Sequence, residues 1–277
     1  MYGGCIVSAA IDCWITISVT RSSSSSINGA PNDLVEAAMH YLRIPNQLAI
    51  SCNSPVGYGT GLGWSGAFLV GLVHGLNHIH GKAVDPYTVA HTAFQIESSI
   101  LNRPAGIQDP YVAAFGSVRR YQIERSGNVI VSRPASLYGY LSIENALQLF
   151  FTGIVRRSSK PLIEMLQFTD RLHQIHQLGR ETWRLVNVGN VHTLSALTNY
   201  HWQIKRIYGG ESHLDHIVES GIAAGASAGK ISGAGKGGYA CFICDDDYKQ
   251  QLSDKMTSMG LVELPVRFTE EGCHVVR

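Results

Sequence analysis

The chain has 277 residues, 45% of them apolar and only 16% charged, with a formal net charge of +1. That much chain buries one large core or divides it between two. Basic residues never cluster beyond two in a row, which argues against nucleic acid, and no apolar run reaches the roughly 18–20 residues that a membrane helix needs.

In chain order, residues 2–19 read as a strand pair, because Cys5-Ile6-Val7 and the run from Cys13 to Val19 carry the β-branched and aromatic residues of strands. The serine run from Ser22 to Ser26, continued by Asn28 to Asn32, predicts a solvated loop. Asp33 then caps a helix over residues 34–42, and a strand over 47–52 follows. Next comes a glycine-rich run from Ser54 to Ala67 that holds Gly57, Gly59, Gly61, Gly63 and Gly66, followed at once by apolar residues through Val73. A helix begins near Asp85-Pro86 and continues through Ile100, with Glu97 late in it. Residues 106–116 read as a loop entering a short helix, and strands at 121–123 and 129–131 form a hairpin turning at Ser126-Gly127-Asn128.

The texture changes near residue 135. A buried strand over 147–154 ends in Thr152-Gly153 and leads to the basic loop Arg156-Arg157-Ser158-Ser159. Helices are predicted over 162–179 and 181–197, with another around 214–223. A second glycine-rich run, Gly229 to Gly238, enters a strand at 239–244. A helix over 247–259, a strand near 262–268 and a short strand over 273–276 complete the chain. Cys241 and Cys244 have C-x-x-C spacing but sit in the strand with no second pair, so they read as buried thiols. The cysteines Cys5, Cys13, Cys52, Cys241, Cys244 and Cys273 are scattered, and the amino terminus lacks a signal-peptide layout; a reducing cytoplasm is the expected compartment.

A strand, a glycine-rich turn and a helix start, in that order, place free backbone N–H groups around one hollow, and the helix dipole adds positive potential. That arrangement suits a phosphate, although many such turns hold no ligand. Two other patterns fail. Gly61-Leu62-Gly63-Trp64-Ser65-Gly66 satisfies G-x-G-x-x-G, but a dinucleotide-binding turn follows its strand without a glycine-rich approach. The run ending in Gly235-Lys236-Gly237 lacks the Ser or Thr that a P-loop places after its lysine. Taken singly, Ser65 is an ordinary helix cap, Glu97 a solvated face and Asp109 an N-cap before Pro110. Together they supply phosphoryl transfer: a hydroxyl and a carboxylate for Mg²⁺, and a second carboxylate beside the accepting hydroxyl.

The run from Pro55 to Ala67 resembles the second motif of the GHMP small-molecule kinases, and Lys230-Ile231-Ser232-Gly233-Ala234-Gly235-Lys236-Gly237-Gly238 resembles their third. The likeness is strongest to the D-glycero-D-manno-heptose phosphate kinases. It continues in Tyr2-Gly3-Gly4, Ile96-Glu97, Gln108-Asp109, Phe151-Thr152-Gly153 with Arg156, and Leu264-Pro265 with Arg267-Phe268, over nearly the whole chain. The resemblance implies an α+β fold of two domains, an S5-like ATP-binding domain over 1–135 and a ferredoxin-like domain over 136–277. It implies ATP held by Pro55, Gly57, Gly59, Thr60, Gly61, Leu62, Gly63, Trp64, Ser65 and Gly66, and Mg²⁺ held by Ser65 and Glu97. Asp109 takes the role of catalytic base, while Arg156, Gly233, Ala234, Gly235 and Lys236 face the substrate. The implied reaction is transfer of the ATP γ-phosphate to a hydroxyl of a sugar phosphate, by a monomer or homodimer with no nucleic-acid or membrane partner. A non-catalytic relative that binds nucleotide or sugar phosphate and regulates something else is the alternative.

The sequence departs from the family pattern in several places. Trp64 stands where a small serine is usual, Lys236 replaces a glycine, and Ile107 replaces a lysine often found before Gln-Asp. Such kinases begin roughly 25–30 residues before the point that matches Met1, with a strand and a glycine-rich first motif ending in an acidic residue, in a domain of ordinary size; this sequence starts after that motif.

Overall fold

The computed structural model describes residues 3–45, 47–155, 169–206, 212–233 and 235–276. Its elements run β1 (Gly4–Ala9), β2 (Thr16–Arg21), β3 (Ser26–Asn28), α1 (Asn32–Leu42), β4 (Leu48–Asn53), α2 (Trp64–Ile79), α3 (Pro86–Gln95) with a π turn at Ile96–Ile100, and α4 (Gln108–Phe115). They continue with β5 (Val118–Ile123), β6 (Val129–Ser132), α5 (Leu137–Ala146), β7 (Leu147–Phe151), α6 (Thr169–Val188), α7 (Val191–Arg206), α8 (Ser212–Ala223), β8 (Ala226–Ile231), β9 (Tyr239–Cys244), α9 (Lys249–Ser258) and β10 (Val262–Leu264). By contact the chain falls into two compact units. One gathers the described residues of Met1–Ser8, Gly59–Leu62 and Val118–Phe268; the other gathers Ala9–Tyr58, Gly63–Ser117 and Thr269–Arg277. The change of texture near residue 135 lies within the first unit's long stretch.

The second unit is built around α2. Its side chains Phe68, Leu69, Val70, Leu72, Val73 and Leu76 are all buried, so this helix is apolar on nearly every face and sits inside rather than on a surface. Each such side chain contributes about 1.5–3 kcal/mol. The accompanying sheet has the order β2-β4-β3, with β4 antiparallel to β2 and parallel to β3. Leu48 and Ile50 of β4 are buried, as the two-residue period requires.

In the other unit, β10-β7-β9-β8 form an antiparallel sheet and β1-β5-β6 a second one. Phe150, Trp202, Leu214, Phe242, Leu252 and Met256 pack into one core. Helix α7 is locked to β8 by Asn199, whose Nδ2 donates to the Ser227 carbonyl at 3.1 Å and whose Oδ1 accepts from the Gly229 N–H at 3.1 Å.

Several expectations need correction. Residues 2–19 do not pair with each other: β1 belongs to the sheet with β5, and β2 pairs with β4. Alternation identifies strands but not their partners. β3 lies within the expected serine-rich loop; Ser26 and Asn28 have weak β propensity and are held there around Ile27 by parallel pairing, with Ile27 opposite Ile50. Helix α1 starts one residue before Asp33, with Pro31 at the N-cap position, and Asp33 instead pairs with Arg103. The break expected at Gly179 is absent because α6 runs through it. A Cβ at Gly179 would lie 1.8 Å from the Cys5 carbonyl oxygen, so glycine serves close packing there. The helix ends instead at Gly189, with φ +65°, and Asn190 Oδ1 caps α7 by accepting from the Thr193 N–H at 2.9 Å. Helix α5 was not anticipated; Ser136 caps it by accepting from the Gly139 N–H. Residues 273–276 form no strand. The basic loop at 156–159 and the first part of the expected helix, 162–168, lie outside the described residues.

Candidate active site

The carboxylate cluster belongs wholly to the second unit. Gly63, at φ +73°, is the N-cap of α2, and the first intrahelical bond runs from the Ala67 N–H to the Gly63 carbonyl at 3.0 Å. The N–H groups of Trp64, Ser65 and Gly66 therefore have no intrahelical acceptor. Against this helix end packs the start of α4. A Cβ at Gly63 would stand 3.3 Å from Asp109 Cγ, and one at Gly66 would stand 2.8 Å from Pro110 N and 2.9 Å from the Asp109 carbonyl carbon. These two glycines let the Asp109 carboxyl reach the N-terminus of α2. The expected N-cap roles of Ser65 and Asp109 do not hold: Ser65 lies inside α2, and Asp109 lies in the first turn of α4 after Ile107 at the cap.

Glu97 occupies the π turn that continues α3 and is only 6% exposed. Such turns insert one residue into a helix and re-aim its side chains. Burial pushes the Glu97 carboxyl above the usual carboxylate range, against the opposing pull of a hydrogen bond from Ser65 and the Arg103 charge. Arg103 donates its backbone N–H to the Glu97 carbonyl at 3.1 Å and is also paired with Asp33. Asp109 is pushed up to about 7, first by burial and then by the Glu97 charge, while Gln108 Nε2 donates to its Oδ1 at 3.2 Å and partly offsets the rise. The neighbouring Ile107 is buried and brings no cation.

Ser65, Glu97 and Asp109 present hard oxygen donors in a place where negative charge is under-compensated, which fits a divalent cation such as Mg²⁺. No group of three or more His, Cys, Asp or Glu side chains poised to hold a metal occurs among the described residues. Mg²⁺ ordinarily takes only one or two carboxylates and completes its shell with phosphate oxygens and water.

In the first unit, two glycine-rich segments lie backbone to backbone. A Cβ at Gly61 would meet Ser232 Oγ at 2.9 Å, and one at Gly238 would meet the Thr60 carbonyl oxygen at 2.0 Å. Thr152 fixes the turn: its N–H and its hydroxyl both donate to the Gly238 carbonyl, at 2.9 and 2.8 Å. Lys205 Nζ donates to the Gly233 carbonyl. The described residues of the third motif thus form a built turn held from both sides. Of the ten loop residues expected at the nucleotide, Thr60, Trp64 and Gly66 are buried, whereas Pro55, Gly57 and Gly61 are exposed. Gly233, Gly235 and Lys236 lie in the held turn; Arg156 and Ala234 lie outside the described residues.

Profiles built from known families match most of these elements: GHMP kinases N terminal domain over residues 32–117, and GHMP kinases C terminal over residues 186–260. The chain belongs to the GHMP kinases. It is 27% identical over 244 residues to D-glycero-alpha-D-manno-heptose 7-phosphate kinase from Campylobacter jejuni, covering 84% of this chain and 71% of that protein. Its fold matches the crystal structure of a D-glycero-D-manno-heptose 1-phosphate kinase from Bacteriodes thetaiotaomicron, with TM-score 0.81 and 21% identity over 98% of this chain and 90% of that one. A putative sugar kinase from Campylobacter jejuni matches with TM-score 0.78 and 22% identity over 97% and 88% of the two chains. The α+β architecture of this GHMP kinase is therefore that of its family.

Some residues of this GHMP kinase's cluster escaped the sequence reading. Arg103, the cation beside Glu97, lies six positions beyond it in an irregular segment, where no helical period links the two. Trp64 is explained by its packing. The indole is buried, stacked on Phe68 at 5.2 Å between ring centroids, and its Nε1–H donates to Ser54 Oγ at 3.1 Å. It joins the end of β4 to the start of α2. No helix among the described residues is long and apolar enough to cross a membrane.

Proposed function

We propose that this GHMP kinase transfers the γ-phosphate of ATP to a hydroxyl of a sugar phosphate, and that D-glycero-D-manno-heptose 7-phosphate is the acceptor. The observation that carries the reading is the Asp109 carboxyl held against the N-terminus of α2, beside the Ser65–Glu97 pair. The matched relatives supply the acceptor class and, through the family, ATP as donor.

The N–H groups of Trp64, Ser65 and Gly66, which have no acceptor within the helix, suit a phosphate at the helix end. Asp109, with its proton affinity raised to about 7, is a base matched to neutral pH. It takes the proton of the acceptor hydroxyl as that oxygen bonds to the γ-phosphorus; the bond from phosphorus to the β–γ bridging oxygen breaks, and ADP leaves. Ser65 and Glu97 would hold Mg²⁺, which when bound neutralises charge on the phosphates. Gln108 orients the Asp109 carboxyl through its amide.

The test is Asp109→Asn, which removes the proton acceptor while keeping an oxygen for Gln108. Turnover is expected to fall by about 10²–10⁴-fold, the range of general-base catalysis, with ATP affinity retained. Normal turnover in Asp109→Asn would refute the role. The regulator reading draws on Ile107, which denies Asp109 one cationic neighbour that would help keep it ionised. It predicts sugar-phosphate or nucleotide binding without turnover in the unmodified chain.

A further inference from the structure

A group of titratable side chains unused by this mechanism converges in the first unit, behind the second glycine-rich run. His201 and Lys205 are one helical turn apart on α7 and so share a face. Lys230 lies on β8, opposite Cys241 of β9. The amide of Asn199 fixes α7 against β8, so the positions of these residues are set by the fold and not by loose surface chains. Lys205 reaches the turn itself. Its ammonium donates to the Gly233 carbonyl, and a Cβ at Gly235 would stand 3.7 Å from its stem and 3.3 Å from the Trp202 ring. His201 Nε2 is buried with no hydrogen-bond partner among the described residues.

The charges in this group do not balance. Among the described residues, no carboxylate forms an ion pair with Lys205 or Lys230, nor does one figure among the charges that act on Lys205 or His201. Burial, and then the Lys230 charge, hold the Lys205 ammonium down to about 7. Burial and the two lysines hold His201 well below its ordinary range. Cys241 stays a thiol, since burial outweighs the pull of the lysines. Three nitrogen donors thus lie together in a partly buried place where one anion would relieve the repulsion between the lysines and satisfy the orphaned imidazole.

We propose that His201, Lys205 and Lys230 form a phosphoryl-binding site that uses Gly233 and residues 235–238 as one wall. Placing the acceptor's own phosphate there deepens the kinase reading and rests on it; the phosphoryl site itself does not. The shared chemistry is a phosphate dianion, carried either by the sugar phosphate or by the nucleotide.

Calorimetric titration of the full chain with inorganic phosphate tests this, in wild type and in Lys205→Met, Lys205→Arg and Lys230→Met. Lys205→Met also removes a bond to the turn. Lys230→Met removes charge without touching Gly233, so it tests the site even if the first variant folds poorly. Both Met variants should weaken phosphate binding about tenfold or more, the usual effect of losing one charge-assisted bond, and Lys205→Arg should recover most of it. A wild type that takes up no phosphate at millimolar concentration, or Lys230→Met binding like wild type, would overturn the site. Heptose 7-phosphate and metal-free ADP identify the source: whichever loses affinity in parallel with inorganic phosphate carries the group held there. Because these are equilibrium measurements, they remain decisive even if the chain shows no turnover.

Discussion

Asp109→Asn should stabilise the metal-free protein, and by an amount that depends on pH. The Asp109 carboxyl is raised from an ordinary 3.8 to about 7, and at about 1.4 kcal/mol per unit the full rise amounts to about 4 kcal/mol. Because the residue keeps part of its surface in water, solvent screening reduces this to about 2–4 kcal/mol. The direction follows from proton counting. Below pH 3.8 both folded and unfolded chains carry the proton and there is no penalty. Between 3.8 and about 7 the unfolded chain has released it while the folded chain still holds it, so stability falls as pH rises. Above about 7 the penalty is constant. Asparagine never ionises and still offers Oδ1 to Gln108, so it escapes the penalty without losing that bond. Thermal melts in EDTA without nucleotide should therefore show the variant and wild type close together near about pH 4. At about pH 8 the variant should melt about 4–16 °C higher, from the usual 2–4 °C per kcal/mol for a chain of this size. Equal melting points at that higher pH, or a less stable variant, would refute the assignment of an electrostatically strained carboxyl.

Glu97→Gln removes the second cause of that rise, so the pH window over which wild-type stability declines should move downward in the same melts. Gly66→Ala places a methyl group 2.8 Å from Pro110 N, against backbone that cannot swing aside; urea unfolding should show a loss of about 1–3 kcal/mol, and turnover should fall with it. Trp64→Phe keeps the stack on Phe68 but loses the bond to Ser54. It should cost about 1 kcal/mol in the same assay, and no loss would show that this bond contributes nothing. Gly179→Ala drives a methyl into the Cys5 carbonyl, so it should destabilise the protein despite alanine's better helix propensity.

Much of the second unit was legible because its signals are local. The apolar run after the glycine-rich loop announced α2, and Asp85-Pro86 marked the start of α3, where Asp85 does accept from the Tyr87 and Thr88 N–H groups. The grouping of Ser65, Glu97 and Asp109 was expected from the chemistry they share and from the family resemblance. Spacing alone could not have given it, since the three lie on separate elements. What stayed hidden depends on contacts distant in sequence. Gly179 looks like a helix breaker until the Cys5 backbone is laid against it. Gly66 looks like a phosphate-loop glycine, yet its closest constraint is Pro110. His201 and Lys205 lie beyond the helix expected over 181–197 and carried no reading until α7, which runs to Arg206, and β8 placed them with Lys230.

The account's central claim is tested most directly by following ADP release and phosphorylated product with Mg²⁺ and ATP, offering heptose 7-phosphate beside unphosphorylated sugars. The account predicts turnover that needs Mg²⁺, disappears in Asp109→Asn and favours the phosphorylated acceptor. A folded protein that binds these ligands and transfers no phosphate to any of them would contradict it.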